Sequence, residues 1–409
     1  MQAEDLWEEL HGPPSGWVPR ACEGHCCVFS ASLGAIVTFG GLAPGARHVQ
    51  DFAICRFHED AGENLVPEWK PLQIMSGRGP QSRCHHGAAL LERSGQGAQL
   101  LIFGGETARY PDGRPIALND TWTVDLTTGE AAPLIPDTGL PPCPRMRHTC
   151  VVVAMPAQGD TLLVIGGRLQ NGDFVEADDS LHMLHLDAKG GSSWQNSDKA
   201  LAKRHLGGLH DRMSTLAPMQ RHSHSAVSVA NSVILFGGFT PQGLNADVVL
   251  ISPTEIEAKK VATSGQRPSA RSQHASVMVG SHMLISGGRD HMCVFGDVAL
   301  LNLRTWTWGQ PISDRFNATR QRQLATRHSH AAVYLGSNRV AIFGGYAHNG
   351  EYCQTRLQLV TVPPRASLDA VAPPASRPAT LGIFSTEDAP LRALREHKVR
   401  SLLLIAPSS

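Results

Sequence analysis

The stretch RVAIFGG, at residues 339–345, is one of six apolar runs in the chain that end in a pair of glycines. The other five runs have the same form: AIVTFGG (35–41), QLLIFGG (99–105), TLLVIGG (161–167), SVILFGG (232–238) and HMLISGG (282–288). Four or five consecutive apolar and β-branched residues are typical of a buried strand, and paired glycines end it with backbone that needs no Cβ. Six copies predict an array of structural repeats.

A second motif precedes the runs. An arginine stands three residues before a histidine in five repeats, as Arg83/His86, Arg145/His148, Arg221/His224, Arg271/His274 and Arg327/His330. The first repeat has His25 but carries Cys22 in place of the arginine. Four repeats also have the pattern [ST]-G-x-x-P, beginning ten residues before the histidine at Ser15, Ser76, Thr138 and Ser264. The layout around each glycine pair is therefore repeated.

Four repeats continue with a strand led by aspartate (Asp51, Asp120, Asp247 and Asp297), and some copies then have a tryptophan (Trp69, Trp194, Trp306). Four strand-like segments separated by turn residues predict a four-stranded antiparallel sheet that needs neighbouring copies to bury its faces. Over residues 5 to 362 the pattern resembles the kelch-repeat β-propellers, of the Rab-effector and host-cell-factor type. The resemblance implies an all-β fold, a six-bladed kelch β-propeller with four antiparallel strands per blade.

The two ends of the array are complementary. Trp7 occupies the position of the last strand of a repeat with nothing before it, whereas the sixth repeat has no tryptophan after Arg356–Val362. We therefore expect Leu6–Leu10 to be the outer strand of the sixth blade and to close the ring. The expected domains are a propeller at residues 1–362 and a Pro/Ala-rich linker with a C-terminal tail at residues 363–409.

Composition restricts the functional classes. The net charge is zero and 42% of residues are apolar, so neither direct nucleic-acid binding nor membrane binding is expected. The N-terminus MQAEDLWEELHGPP lacks the apolar core of a signal peptide, and no run has the length of a membrane span. Nine scattered cysteines fit reduced thiols, so we expect the protein in the cytoplasm or nucleus. It is also expected to be a monomer.

No catalytic residues, metal site or cofactor are expected. Five of the twenty histidines belong to the repeat and are predicted to be structural, and no Cys-x-x-Cys pair accompanies them. Gly-x-Ser-x-Gly, Walker and dinucleotide motifs are absent from the sequence.

A partner-binding rim is the remaining candidate site. In kelch propellers, the loops before the first strand and after the glycine pair meet on one face, and here they are rich in arginine and histidine. By this resemblance the rim residues are Arg47, His48, His85, Arg109, Arg147, Arg168, Arg289, His291 and His348. Guanidinium groups bind carboxylates and phosphates in a bidentate manner, so the rim predicts an acidic or phosphorylated partner segment.

These residues predict a non-catalytic scaffold or adaptor that binds a protein partner. One alternative is the kelch portion of a tRNA wybutosine-synthesis methyltransferase-type protein without its catalytic domain, because Arg221–Ala226 and Arg327–Ala332 are similar to strands of that family. A second alternative is a kelch-type metalloprotein or enzyme.

Overall fold

The computed structural model describes residues 7–12, 16–60, 65–75, 79–93, 95, 97–110, 115–155, 158–187, 190–197, 215–312, 326–347, 349–353 and 357–362. Five sheets of four antiparallel strands and one sheet of five strands, of which four are antiparallel, form the six blades of a β-propeller, which confirms the predicted fold class. The predicted tail at residues 363–409 and most of the insertion between Trp194 and Pro218 lie outside the described residues.

The N-terminal strand closes the ring, as predicted. Strand β1 (Trp7–Leu10) pairs antiparallel with the third strand of the sixth blade, with Trp7 opposite Val360 and Leu10 opposite Leu357. Leu10 is buried in the apolar cluster between the sixth and first blades. Strand β1 is therefore the outer strand of the sixth blade. Leu6, which was predicted to belong to this strand, lies outside the described residues.

The strands are labelled β1 to β29 in chain order. The first blade contains β2 (Cys26–Ser30), β3 (Ala35–Phe39), β6 (Phe52–Glu59) and β7 (Leu65–Pro71), with a small hairpin of β4 (Leu42–Ala43) and β5 (Arg47–His48). The second contains β8 (Gly87–Arg93), β9 (Gly97–Arg109), β10 (Pro115–Asp125) and β11 (Ala131–Pro133). The third contains β12 (Thr149–Met155), β13 (Gly159–Ile165), β14 (Leu181–Leu186) and β15 (Ser192–Asn196).

The other three blades follow the same order. The fourth contains β16 (Ser225–Val229), β17 (Ser232–Phe236), β20 (Val248–Ser252) and β21 (Glu257–Val261), with a hairpin of β18 (Phe239–Thr240) and β19 (Gly243–Leu244). The fifth contains β22 (Ser264–Gly265), β23 (Ala275–Val279), β24 (His282–Ser286), β25 (Val298–Asn302) and β26 (Thr307–Ile312). The sixth contains β27 (Ala331–Gly336), β28 (Arg339–Phe343), β29 (Leu357–Thr361) and β1. Short 3-10 helices occur at Ala177–Asp179 and Ala217–Met219.

The apolar core is divided among the blade interfaces. The first strands of the blades surround a central channel and contact one another in the order β2, β8, β12, β16, β23, β27 and back to β2. Six apolar clusters each combine side chains from two neighbouring blades. Burial of both faces of every sheet explains why the second strands read as continuous apolar runs rather than as alternating patterns.

The glycine pairs join each blade to the next. The second glycine donates its N–H to the carbonyl of the next repeat's arginine, as from Gly41 to Arg83 (2.8 Å), and the last such bond runs from Gly345 to Cys22 (2.9 Å). Gly40 has a φ of +73°, and a Cβ there would lie 2.8 Å from Cε1 of His86. The repeat histidine therefore packs where only glycine leaves room.

The repeat arginines are structural and almost completely buried. Each guanidinium donates Nη1–H to the carbonyl of the first glycine of its own pair at 2.8–3.1 Å. Arg83 also forms an ion pair with Asp120, which lies within β10. Arg271 forms one with Asp297, which directly precedes β25. Charge pairing and backbone hydrogen bonds together compensate for burying these cations.

The [ST]-G-x-x-P motif covers the outer edge of a blade. Thr138 forms a parallel bridge with Ser193, and β22 pairs in parallel with β26. The tryptophan of the fifth blade's outer strand is Trp308, which is 2% exposed, whereas Trp306 lies in the preceding turn with a φ of +56°. The sequence assignment of Trp306 to this strand was therefore wrong by two residues.

Candidate functional site

One face of the propeller carries the loops before each first strand and after each glycine pair, and we call it the loop face. Its central feature is an inner ring of six residues, one per blade, two positions after the repeat arginine or Cys22. These residues are Gly24, His85, Arg147, Ser223, Gln273 and Ser329.

A closed circle of backbone hydrogen bonds fixes the inner ring. Each residue donates its N–H to the carbonyl of the ring residue in the preceding blade at 2.7–2.9 Å, and Gly24 closes the circle by donating to Ser329. The φ angles of all six are positive, from +52° at His85 to +63° at Gly24. This left-handed backbone conformation is uncommon for residues other than glycine, and here the ring hydrogen bonds hold it. The directions of the ring side chains are therefore fixed by the fold.

A second circle, the bridge ring, surrounds the first. It consists of six isolated β-bridges between the residue before the inner ring and the residue after the glycine pair. The bridges are Glu23–Leu42, Cys84–Glu106, Met146–Arg168, His222–Phe239, Ser272–Arg289 and His328–Tyr346. The same backbone frame thus presents a different side-chain pair in every blade.

Below the rings lies the channel, a cavity of about 250 Å³. It is lined in part by the repeat histidines His25, His86, His148, His224, His274 and His330. Burial lowers the pKa of these imidazoles, to about 4 for His25 and to about 3 for His148 and His274. The channel histidines are therefore neutral at physiological pH, as expected of structural residues.

The third and fifth blades make one side of the loop face cationic. Arg147 is half-buried in the inner ring, whereas Arg168 and Arg289 are exposed in the bridge ring. The hydrogen bonds of Arg168 and Arg289 go to backbone carbonyls, Gly172 and Asp290 respectively. Within the described part of the chain, none of the three guanidinium groups forms an ion pair. The charge of Arg147 is partly offset by the nearby carboxylate of Glu106, whereas Arg168 and Arg289 are exposed to a ligand.

The pKa values of neighbouring histidines show that this charge extends across the face. Burial, together with the charges of Arg147 and Arg168, lowers the pKa of His222 to about 3. Burial, together with the charges of Arg289 and Arg147, lowers the pKa of His328 to about 4. Protonation of either imidazole is therefore opposed by the arginines.

The second blade provides a buried carboxylate on the face, and the fifth blade provides Asp290 next to Arg289. Glu106 is buried and accepts a hydrogen bond of 2.7 Å from Nδ1 of His85 and one of 3.4 Å from the thiol of Cys84. Burial alone would raise the pKa of Glu106, but the bond from His85 and the charge of Arg147 lower it to about 2. Burial lowers the pKa of His85, so the pair is a neutral imidazole donating to a carboxylate.

A row of rings crosses the third to fifth blades. The rings of Phe174 and His222 have centroids 5.1 Å apart, those of His222 and Phe239 are 5.4 Å apart, and those of Phe239 and His291 are 5.7 Å apart. Met292, which follows His291, is 82% exposed. This apolar row lies beside the cationic side of the face, because Phe174 bridges to Arg168.

The predicted rim residues are only partly brought together. His85, Arg147, Arg168 and Arg289 surround the channel mouth, and His291 is exposed beside Phe239. Arg47 and His48 belong to the β4–β5 hairpin, and Arg109 is the last residue of β9. His348 lies outside the described residues.

Sequence reasoning missed the bridge ring as a unit. Glu23, Cys84, His222 and His328 directly follow the arginine of their repeat or the cysteine that replaces it, and each faces the residue directly after its own glycine pair. This shared position in the repeat was the available signal. The sequence alone does not show that these two positions of the repeat face each other across the loop.

The blades, glycine pairs and loop face define the chain as a kelch-type β-propeller. The family model described as the KLHDC2/KLHL20/DRC7 Kelch-repeats domain matches residues 3–209 and 154–362. The chain belongs to this family.

Similar proteins are distant and mostly longer. The chain is 25% identical to Host cell factor of Drosophila melanogaster over 372 residues, covering 83% of this chain and 22% of that protein. It is 26% identical to human Host cell factor 2, covering 79% and 39%. The tRNA wybutosine-synthesizing protein 2/3/4 of Arabidopsis thaliana is 36% identical over 130 residues, covering 30% and 12%. The chain thus spans well under half of each of these relatives.

Among solved structures, that titled Structure of YjhT has a TM-score of 0.54 and 15% identity, covering 84% of this chain and 96% of that one. This similarity supports the propeller fold alone. In the described part of this chain, no helix has the length and apolar character needed to cross a membrane.

Proposed function

We propose that the chain is a non-catalytic scaffold whose loop face binds an acidic or phosphorylated segment of a partner protein. The observation that carries this proposal is the group of three guanidinium groups, Arg147, Arg168 and Arg289, without ion pairs to described residues. Their charges lower the pKa of His222 and His328. A cationic surface of this kind favours carboxylate or phosphate ligands.

The aromatic row supports a protein as the ligand. Phe174, Phe239 and His291 offer ring faces and edges beside Arg168. Aromatic residues and arginine are enriched among the side chains that dominate protein–protein binding energies. An extended peptide with an acidic residue next to an apolar one would contact both features.

The experiment compares capture of partners by wild-type protein and by the double variant Arg168→Ala/Arg289→Ala. Because a hydrogen bond to a charged group contributes about 1.5–3 kcal/mol, loss of two arginines should weaken binding about 100-fold or more. Captured proteins identified by mass spectrometry are then tiled as synthetic peptides in acidic, phosphorylated and neutral forms. Binding of the acidic or phosphorylated forms should weaken with added salt.

The matched control is Arg56→Ala/Arg339→Ala. Both arginines are exposed, but Arg56 is opposite Ala35 and Arg339 opens β28, so both lie beside the turns of the opposite face. This variant should bind like the wild type. Equal binding by the loop-face variant, or preference for neutral peptides, would refute the proposal.

A second candidate function rests on the relative with the highest identity reported above. The 36% identity to the wybutosine-synthesizing protein fits a propeller that works beside a tRNA-modifying enzyme. Purification with tRNA or with a methyltransferase would favour this candidate over an acidic protein segment.

The proposed setting is a reducing compartment, the cytoplasm or the nucleus. All nine cysteines of the chain are free thiols, and free thiols persist where glutathione and thioredoxin keep them reduced. The proposed state is a monomer, which size-exclusion chromatography with light scattering tests directly.

A further inference from the structure

Cys84, His85 and Glu106 bring three kinds of metal-ligand atom to one point on the loop face. The Sγ of Cys84 lies 3.4 Å from Nδ1 of His85 and 3.4 Å from Oε1 of Glu106, and these last two atoms are 2.7 Å apart. Ligand atoms about 2.0–2.3 Å from a tetrahedral zinc ion are separated by roughly 3.3–3.6 Å. The three atoms therefore form nearly one face of such a tetrahedron, and only the carboxylate must move by several tenths of an ångström.

The backbone holds these ligands in place. Cys84 and Glu106 exchange two backbone hydrogen bonds of 2.9 Å, and His85 is held on both sides by the inner ring, donating to Gly24 and accepting from Arg147. His85 and Glu106 side chains are each only 8% exposed, and Cys84 is fully buried. Such restraint reduces the conformational entropy that metal binding would cost.

The cluster does not follow from the repeat. The three equivalent positions are Ser272, Gln273 and Arg289 in the fifth blade and His328, Ser329 and Tyr346 in the sixth. Among the described residues, only the second blade's positions carry a thiol, an imidazole and a carboxylate together. A residue set that the fold does not need in other blades is better explained by a ligand than by the scaffold.

The donor set fits zinc. Thiolate, imidazole and carboxylate are all zinc ligands, and three protein ligands with one open position are typical of sites that take a water or an incoming group. Zinc would bind the thiolate of Cys84, whose proton passes to solvent, and Nδ1 of His85, whose proton moves to Nε2. Nε2 of His85 has no hydrogen-bond partner among the described residues, so it can take the proton that Nδ1 donates to Glu106 in the metal-free protein.

We propose that Cys84 Sγ, His85 Nδ1 and Glu106 Oε1 bind one Zn²⁺ ion at the edge of the channel mouth. The fourth position takes water or a donor atom from a ligand on the loop face. The two positive charges of the ion are balanced by the thiolate of Cys84 and the carboxylate of Glu106. The bound site therefore has no net charge to repel the adjacent guanidinium of Arg147.

The probe is Co²⁺, added to protein that has been treated with a chelator under reducing conditions. A thiolate-to-cobalt charge-transfer band should appear at one equivalent and disappear when Zn²⁺ is added. The variants Cys84→Ser and His85→Gln copy the residues of the fifth blade, so they should fold. Each should weaken Zn²⁺ binding by more than the roughly 10–100-fold that loss of a supporting residue costs.

Two controls separate this site from other thiols and from misfolding. Cys150→Ser removes a channel-lining thiol of the third blade and should leave the band unchanged. X-ray absorption on the zinc-loaded wild type should show one sulfur at about 2.3 Å among nitrogen and oxygen neighbours at about 2.0 Å. Absence of the band, an unchanged band in Cys84→Ser, or a sulfur-free zinc environment would overturn the proposal. Capture of partners is scored separately, so either proposal can fail alone.

Discussion

The backbone N–H of Gly24 donates to the carbonyl of Ser329 at 2.8 Å, and this bond closes the inner ring between the first and sixth blades. Other connections hold the same seam. Gly345 donates to Cys22 behind it, and β1 pairs with β29 at the outer edge. The propeller is therefore closed at the channel, at the glycine pair and at the outer edge of the blade. A local change at Gly24 tests the connection at the channel while the others remain.

Gly24→Ala should destabilise the protein and displace His85. Gly24 has a φ of +63°, and an added Cβ would lie 2.6 Å from Cδ2 and 2.7 Å from Nε2 of His85. The backbone conformation costs an alanine about 1–2 kcal/mol, and crowding of the imidazole adds roughly 1–3 kcal/mol. Urea-induced unfolding measures the free energy of unfolding.

Gly34→Ala is the matched control, because Gly34 has a similar φ of +59° and nothing within 4 Å of the added Cβ. Gly34→Ala should lower the free energy of unfolding only by the cost of the backbone conformation, about 1–2 kcal/mol. Equal losses in the two variants would show that His85 is not held against Gly24.

Removal of residues 1–12 should abolish cooperative folding. This deletion removes β1, leaves β29 as an unpaired edge strand, and takes Leu10 out of the cluster that includes Trp69. An exposed edge strand promotes aggregation. Thermal melting with light scattering measures both effects, and the control deletes residues 1–6, which precede β1. A cooperative and unchanged melt after the longer deletion would contradict closure by this strand.

Much of the fold was predictable because the same packing requirement at the glycine pair recurs in all six repeats. Glycine is required where the next blade's arginine carbonyl and histidine approach Gly40, and that demand recurs in each glycine pair. Trp7 matches the tryptophan of a last strand, and this match predicted that its strand completes the sixth blade. Trp306 was misassigned because two tryptophans lie two residues apart, and sequence does not show which of them occupies the turn with positive φ.

The site was less predictable because it depends on pairs that are distant in sequence. The location of Arg147, Arg168 and Arg289 on the loop face follows from their positions in the repeat. Cys84 and His85 contact Glu106, which is about 20 positions away in the sequence. The contact depends on the backbone bridge between Cys84 and Glu106, which lies just beyond the glycine pair in β9. His85 was considered as a cation on the rim, whereas burial lowers its pKa and makes it a neutral donor.

Asp297→Ala should cost about 3–5 kcal/mol of stability, because it leaves a buried charge without its partner. Arg271 is 1% exposed and contacts both carboxylate oxygens of Asp297. The control is Asp51→Ala, whose partner Arg20 lies at 3.3 Å with both side chains about half exposed. An exposed pair of this kind contributes about 0–1 kcal/mol. Similar losses measured by urea unfolding would show that Arg271 is not confined as described.

Stability should fall as the pH is lowered from 6.5 to about 4. In the folded protein, burial lowers the pKa of His25 to about 4 and those of His148 and His274 to about 3. Unfolded histidines titrate near 6.5, so below that pH the unfolded chain binds protons that the folded chain does not. The free energy of unfolding therefore rises with pH in this window, by about 1.4 kcal/mol per pH unit for each such histidine once the pH is well below 6.5.

Urea unfolding at pH 7.5, 6, 5 and 4.5 measures this slope. His148→Gln removes one of the protons and should reduce the slope by about 1.4 kcal/mol per pH unit near pH 5. His291→Gln is the control for removing a histidine that is exposed on the loop face and lies outside the channel. A free energy of unfolding that stays constant between pH 7.5 and 5 would mean that the channel histidines accept protons in the folded state, and that the channel is more polar than its packing indicates.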